Sequence, residues 1–472
     1  MIIKTLAVTF FALCFSLSLA QTTLTMWART PETIPLLRES IARFQEEHPD
    51  VRINLVDFGA DAYPGALQAA ISGQDLPDIF HVHNSVPLSR LVNLGLVQPL
   101  EPFFSQDFIA DFDPATWWEG STTVDGEIYA WPDRSFRRAS LYLYSNREVM
   151  EQAGLNPDTP PSTWEALLEQ ANQVSEWGAG RAYGLHIGFT SGWFIERIVL
   201  QLASTVSADR GVPNEHLPGR MINWQSGEMF DYDEVPAVLE LFAEMMATDA
   251  IHPNFIGTGR SQATAQWAVG QAAFLIDGSW RLQEILRDDP DFDFNISYLP
   301  SQTGTPPLWG VEGGSQNAFV ISSQSDNAEL AARFFEFLSE DYYPLLLENS
   351  VDLTPIPALN ARAEELAAPQ FADFVRLSED ATLVLPSPVM RNPEQLEVVT
   401  RLAGKQSRQP FGETMEGFIA AANTDALDYL QSYAAEQQRF LEEAIAEAQA
   451  AGADVSADEW LFEDWNPLEN YY

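Results

Sequence analysis

Side chains suited to gripping a small polar molecule gather at the ends of short apolar runs in this sequence. Trp27 and Arg29 close the run TTLTMWART, and His83 and Asn84 end PDIFHVHN. Asp133 and Arg134 follow EIYAWP; Thr190, Ser191 and Trp193 follow YGLHIGF; Asp277 and Trp280 belong to AAFLIDGSW. In open α/β sheets ligands bind beyond the carboxyl ends of the strands, so these are the positions geometry selects. The set joins indoles to carboxylates, an amide and guanidinium groups. A sugar is a flat amphipathic body with apolar C–H faces and a rim of hydroxyls. Aromatic rings cover such faces with little loss of entropy, and charged groups hydrogen-bond the rim. The chain has 13 tryptophans, so many must pack in cores, and packing is the competing role for Trp27 and Trp193.

Other chemistries fit less well. His81 and His83 are two apart on an expected strand and share a face, but no third nitrogen or carboxylate completes a metal site. Asp133, Arg134, Arg137 and Arg138 form a charged knot that suits either an anionic group or ion pairing within an acidic chain. The loop Gly310–Ser315 (GVEGGS) lacks the Gly-Lys-Ser/Thr close of a phosphate loop. Glycoside hydrolysis needs two carboxylates facing each other across a cleft. Glu119 and Asp125 are candidates, yet nothing singles out a pair among 68 acidic residues. No catalytic residue, metal or cofactor is therefore expected.

The hydrophobic pattern supplies elements to hold these positions. TTLTMWA, VRINLVDF and PDIFHVH read as strands, the second with Val51, Ile53 and Leu55 alternating. A helix with Ile34, Leu37, Ile41 and Phe44 on one face separates the first two, and a helix from Tyr63 to Ser72 precedes the third. Strand–helix–strand at this spacing predicts a parallel α/β sheet. Ser162 and Glu165 form a capping box for a helix beginning at Thr163. AYGLHIGF, AAFLIDGSW, DFNISYLP and SQNAFVIS read as further strands, and DNAELAARFFEFLSED and most of 414–451 as helix. The acidic, aromatic tail 454–472 has no clear periodicity and stays unassigned.

Residues 1–20 read as a cleavable export signal: Lys4, then an apolar stretch, then small residues at Ser18 and Ala20. The single cysteine, Cys14, lies within it after Leu13, which makes a poor lipid-attachment site, so the mature chain is expected to be cysteine-free. The net charge of −43, with Lys4 and Lys405 the only lysines, argues against nucleic acid and anionic membranes as partners. It fits a solvated acidic surface in a salty exterior better than a cationic ligand. About 450 residues are enough for more than one lobe.

The order and spacing of LTMWART, SGQDLPDIFHVH, GEIYAWP with LYLYSN, AGLNPDTPPSTWEAL, GQAAFLIDGSW and WGVEGGSQNAFVIS resemble the family 1 extracellular solute-binding proteins of bacterial ABC importers, the group that includes maltose-binding protein. The resemblance covers nearly all of the chain after residue 20 except the tail. It implies a two-lobed periplasmic-binding-protein fold (type II), with parallel-sheet lobes, helices on both faces and a hinge of crossing segments. Carried onto this chain, the crossings fall near Arg134–Ala139, Leu299–Gly304 and Ser339–Pro344. The first lobe is then 21–134 plus 305–340, and the second 135–304 plus 341–453. It places the tryptophan of the GSW motif, Trp280, against a bound sugar, and the loop carrying Gly313 and Gly314 at the cleft. It implies a non-enzymatic, exported, monomeric receptor that closes on a sugar or oligosaccharide and passes it to a membrane permease. The rival solutes are a polyamine, an anionic metabolite or a compatible solute; the rival activity is an exported glycoside hydrolase.

Overall fold

The computed structural model describes residues 21–472 apart from 84, 139–140, 207–210, 215–216, 218 and 315–316. The expected export signal, Cys14 and Asn84 lie outside the described residues.

Two mixed sheets anchor two lobes. The first has the order 51–57, 22–28, 79–81, 318–321, 130–132. Its first three strands are parallel, with Met26 level with Leu55 on one side and Ile79 on the other. Ala318–Ile321, the chain returning from the second lobe, lies antiparallel to both Ile79–His81 and Ala130–Pro132, so the parallel run expected from the sequence is extended into a mixed sheet. Period-2 alternation splits each strand between two cores. Ile79, Trp131, Phe319 and Ile321 enter one cluster, with the helix Ile34–Glu47. Phe80, Ala130, Ala318 and Val320 enter the other. Burial on both faces explains why AFVI reads as a continuous apolar run.

The second sheet has the order 294–297, 141–146, 272–278, 183–187. Ala272–Gly278 runs parallel to Tyr183–Ile187 and antiparallel to Leu141–Asn146. Leu141, Leu143, Phe274 and Ile276 face one core, and Tyr142, Tyr144, Leu275 and Ile296 the other. The helix at Trp164 begins at an N-cap Thr163, whose hydroxyl accepts the N–H of Ala166 at 3.1 Å; the cap is therefore one residue later than the expected Ser162.

The chain leaves the first sheet after Pro132 and enters the second at Leu141. The other two crossings lie later than the resemblance implied. Trp309–Val311 pairs in parallel with Thr382–Val384, so residues up to 311 stay with the second lobe, and the chain is back in the first sheet at Ala318. The helix Ala328–Glu348 continues through Pro344 without a break. Its Tyr342, Tyr343, Leu345 and Leu346 all belong to the first-lobe core. Trp131 stacks between Phe335 and Tyr343, with centroids 5.3 and 5.0 Å away and rings within 6° of parallel. Burying these rings outweighs the cost of about 3 kcal/mol for an interior proline. The third crossing therefore follows the helix, near 349–353.

The tail packs on the second lobe. Trp460 and Phe462 are buried with Trp224, Trp460 Nε1 donates to Gln395 Oε1 at 2.9 Å, and the Tyr471 N–H donates to the Val384 carbonyl at 2.9 Å. No helix among the described residues is long and apolar enough to cross a membrane.

Candidate solute-binding cleft

Two cavities lie between the lobes. One, of about 450 Å³, is lined by Pro31 and Glu32 from the first lobe, Arg134, Arg138 and Asp352 from the crossings, and Trp280 from the second lobe. The other, of about 440 Å³, includes His83, Trp118 and Glu119 from the first lobe, Glu312 and Gly313 from the second crossing, and Ser387 from the second lobe.

On the second lobe, the carboxyl edge of the sheet carries an aromatic platform. Trp193 and Trp280 stand 5.9 Å apart between ring centroids at 55°, and Trp193 is 45% exposed. The Arg260 guanidinium lies 4.8 Å from the Trp193 ring and 5.3 Å from the Trp280 ring. Arg197 lies 5.5 Å from Trp193 on the same helix and 5.2 Å from Trp309. Such stacking holds the indoles and guanidiniums in one arrangement before any ligand arrives. It presents two apolar faces next to hydrogen-bond donors, a combination suited to a polyol.

The strand-end positions differ in depth. Asp133 is fully buried and Arg134 only 3% exposed. Arg134 donates to Asp352 at 2.9 Å, to Glu32 at 3.1 Å and to Asp133 at 3.3 Å. Burial works to raise the Asp133 carboxyl, but Arg134 and His81 outweigh it and hold it below the usual carboxylate range. Asp133 is thus a structural ion at the crossing, and Arg134 touches the cavity only from within that network. Asp277 is likewise buried: its oxygens accept from the Gly278 N–H at 2.7 Å, Arg281 at 3.1 Å and Thr264 at 3.3 Å. Both carboxylates position arginines and leave no oxygen facing a solute. Trp27 packs on Phe58 with centroids 4.6 Å apart. The Arg29 backbone N–H donates to His81 Nδ1 at 3.2 Å, and burial lowers the Arg29 pKa.

His83 lines the second cavity, with Nδ1 2.9 Å from the Ser85 hydroxyl. Among the described residues no group of three or more His, Cys, Asp or Glu side chains is placed to hold a metal. Gly313 and Gly314 owe their identity to packing. A Cβ on Gly313 would come within 2.3 Å of the Ala115 carbonyl and the Trp118 ring, and one on Gly314 within 2.2 Å of the Ser121 hydroxyl. Gly314 also has φ of 91°, in the left-handed region that disfavours other residues. Of the two, Gly313 lines a cavity. Glu119 is a turn residue: its carboxylate accepts the N–H groups of Asp125 at 2.8 Å and Gly126 at 3.2 Å.

Sequence reasoning missed Glu32, Arg138, Arg197, Arg260 and Glu312. The sequence puts Arg138 in the charged knot, and the structure places it on a cavity wall as well. Arg260 follows a segment joined to the sheet only through isolated bridges at Leu185–Ile251 and Phe189–Ile256, so no alternation announces a strand end before it. The two glycines of GTGR, Gly257 and Gly259, are the signal the sequence offers there.

With two lobes, crossing segments and a lined cleft between them, the molecule is of the solute-binding class. The sequence model of the bacterial extracellular solute-binding proteins matches residues 30–341, and the chain belongs to that family. It is 25% identical over 330 residues to an sn-glycerol-3-phosphate-binding periplasmic protein of Rhizobium meliloti, spanning 68% of this chain and 72% of the relative. A protein of that name from Agrobacterium fabrum is 25% identical over 388 residues, covering 80% and 83%. In fold it is similar to the cyclic α-maltosyl-1,6-maltose binding protein of Arthrobacter globiformis: TM-score 0.61, 17% identity, 90% of this chain and all of the other. It is also similar to an ABC transporter solute-binding protein of Thermotoga lettingae bound with α-D-tagatose: TM-score 0.60, 19% identity, 89% of this chain and all of the other.

Proposed function

We propose that this chain is an exported, non-enzymatic receptor that closes on a sugar or related polyol and delivers it to a membrane permease. The observation that carries the reading is the Trp193–Trp280 pair, with Trp280 lining a cavity to which both lobes contribute. Two indoles set at an angle match the C–H faces of a ring, while Glu32, Arg138 and Gln283 border the cavity that Trp280 lines and can meet hydroxyls. The relatives' names and the sugar-binding structural neighbours support this solute class. The turn role of Glu119 removes one candidate for a hydrolytic carboxylate pair, which favours binding over turnover. The working site is Trp193, Trp280, Arg260, Arg138 and Glu32, with His83 and Gly313 on the far flank. The protein is expected to act as a monomer, with lobes 21–132 plus 318–348 and 141–311 plus 354–472.

A thermal-shift screen of monosaccharides, oligosaccharides, polyols and their phosphates tests this, because a ligand that binds only the folded state raises the melting temperature. A rise with at least one, and no change in the sugar after long incubation, is expected. A screen in which only polyamines or amino acids raise the melting temperature overturns the carbohydrate reading.

A further inference from the structure

We propose that the solute carries an oxyanion, either phosphate or carboxylate, and that Arg260 is the side chain that reads it. The assignment rests on the polyol reading above and narrows its substrate class.

Four arginines around the cleft, Arg134, Arg137, Arg138 and Arg281, are consumed by carboxylates. Arg134 and Arg138 share Asp352 at 2.9 and 3.0 Å. Arg137 pairs with Asp113 at 2.6 Å, and Arg281 is held by Asp277 and Glu284. Arg260 differs. Its guanidinium makes no hydrogen bond to a described residue, and the nearest carboxylate oxygen, of Asp277, is 4.0 Å away. That carboxylate is already engaged by Arg281, Thr264 and the Gly278 N–H. In a chain with net charge −43, an arginine that stays 28% exposed without a close acceptor is held away from the surplus of acids.

The holding is structural. The guanidinium lies against Trp193, Phe194 and Trp280 at 4.8, 5.2 and 5.3 Å. Its backbone passes so close to Gly188 that a Cβ there would come within 2.4 Å of the Arg260 Cα. Stacking occupies the apolar faces of the guanidinium and leaves its rim of N–H donors in a fixed plane. Such a fork matches two oxygens of a phosphate or carboxylate at once, and little ordering entropy remains to be lost. Three helices, Gly192–Ala203, Arg260–Ala268 and Trp280–Asp288, also begin at this edge with no side chain capping them. Their N-terminal dipoles add positive potential of the same sense. A polyamine would meet this charge unfavourably; a sugar or polyol with an oxyanion would set its carbon skeleton on the indoles and its charge at Arg260. The names of the sn-glycerol-3-phosphate-binding relatives agree with this chemistry.

Calorimetry with matched pairs tests it: glycerol 3-phosphate against glycerol, glucose 1-phosphate against glucose, and glucuronate against glucose. In the unaltered protein at least one oxyanion should bind ten-fold or more tighter than its neutral counterpart, and which pair responds separates phosphate from carboxylate. R260Q should lose at least ten-fold in affinity for that oxyanion, and R260K should retain part of it. Circular dichroism should show both variants folded. Neutral sugars that bind as tightly as every charged counterpart overturn the proposal while the polyol reading stands, and this comparison needs no variant. An oxyanion preference undiminished in R260Q removes Arg260 from the role. Binding of no member of any pair overturns this proposal; the polyol reading is then decided by the wider screen.

Discussion

His186 is locked into one protonation state by its neighbours. Its Nδ1 accepts the Ile187 N–H at 3.0 Å, so Nε2 must carry the proton toward Gln266 Oε1, 2.8 Å away. A second proton has no room at Nδ1, and His252 stacks on the ring at 4.2 Å. Burial, with His252 adding to it, lowers the His186 pKa from 6.5 to about 4. The unfolded chain therefore takes up this proton first as the pH falls. The stabilisation is complete above pH 6.5, declines as the pH falls from 6.5 to about 4, and is gone below that. The expected loss is about 3 kcal/mol. Urea unfolding of the parent and of His186→Gln across this range checks it: the gap between their unfolding free energies should narrow by that order, and a pH-independent gap would refute the assignment. Trp280 belongs to the same residue scale. Trp280→Ala should weaken solute binding more than ten-fold, about 1.4 kcal/mol, with the fold retained; unchanged affinity by calorimetry removes it from the site. The place of Trp280 on a cavity wall was legible because its motif and its strand end agree. Asp133 and Asp277 misled because a strand end gives a position along the chain and says nothing of the layer in which the side chain ends.

Elements position the platform through close backbone contact. The helix Gly192–Ala203 carries Trp193 near its start and crosses Phe411–Ala420 where two glycines meet. A Cβ on Gly412 would come within 1.8 Å of the Gly192 carbonyl, a contact that backbone cannot absorb without moving a helix. Gly412→Ala should cost at least about 2 kcal/mol of stability, within the range for overpacked cores, and displace the Trp193 end of its helix. Denaturant unfolding reads the first effect and the Trp193 contribution to fluorescence the second; a neutral substitution would mean that the helices are not fixed by this contact. Nothing in the sequence foretold the pairing, because residues 192 and 412 are brought together only by tertiary packing. The strands were legible from alternation and length. The helix Ala328–Glu348 was legible at its start but not at its end: Pro344 reads as a stop locally, whereas the burial of Tyr342 and Tyr343 against Trp131 carries the helix on.

At the scale of the molecule, the crossings are joined to one another by charge. Asp352, on the third crossing, accepts from Arg134 and Arg138 of the first, and Arg134 also reaches Glu32 of the first lobe. Asp352 is 3% exposed, so its charge depends on these partners, and Arg134 on it. The sequence displayed the arginine knot but could not supply its partner 214 to 218 residues away. Closure of two lobes about such a hinge is a population shift, and a solute moves it only by binding the closed form better. A well-braced hinge should keep the free protein in a narrow range of angles. Asp352→Ala leaves two arginines with a lost partner in a buried setting, which should destabilise the fold by about 3–5 kcal/mol. Asp352→Asn keeps the shape and a hydrogen-bond acceptor while removing the charge, so it should remain folded at moderate temperature. Small-angle scattering then separates brace from bystander. The unaltered protein should contract measurably when the solute found by the thermal screen is added. The Asp352→Asn variant should start from a broader distribution of lobe separations and contract to the same closed form. If both proteins give superimposable profiles without solute, the ion network stabilises the crossings without restraining their angle; if the unaltered protein does not contract with a solute it binds, closure about these crossings is not how the site captures its ligand.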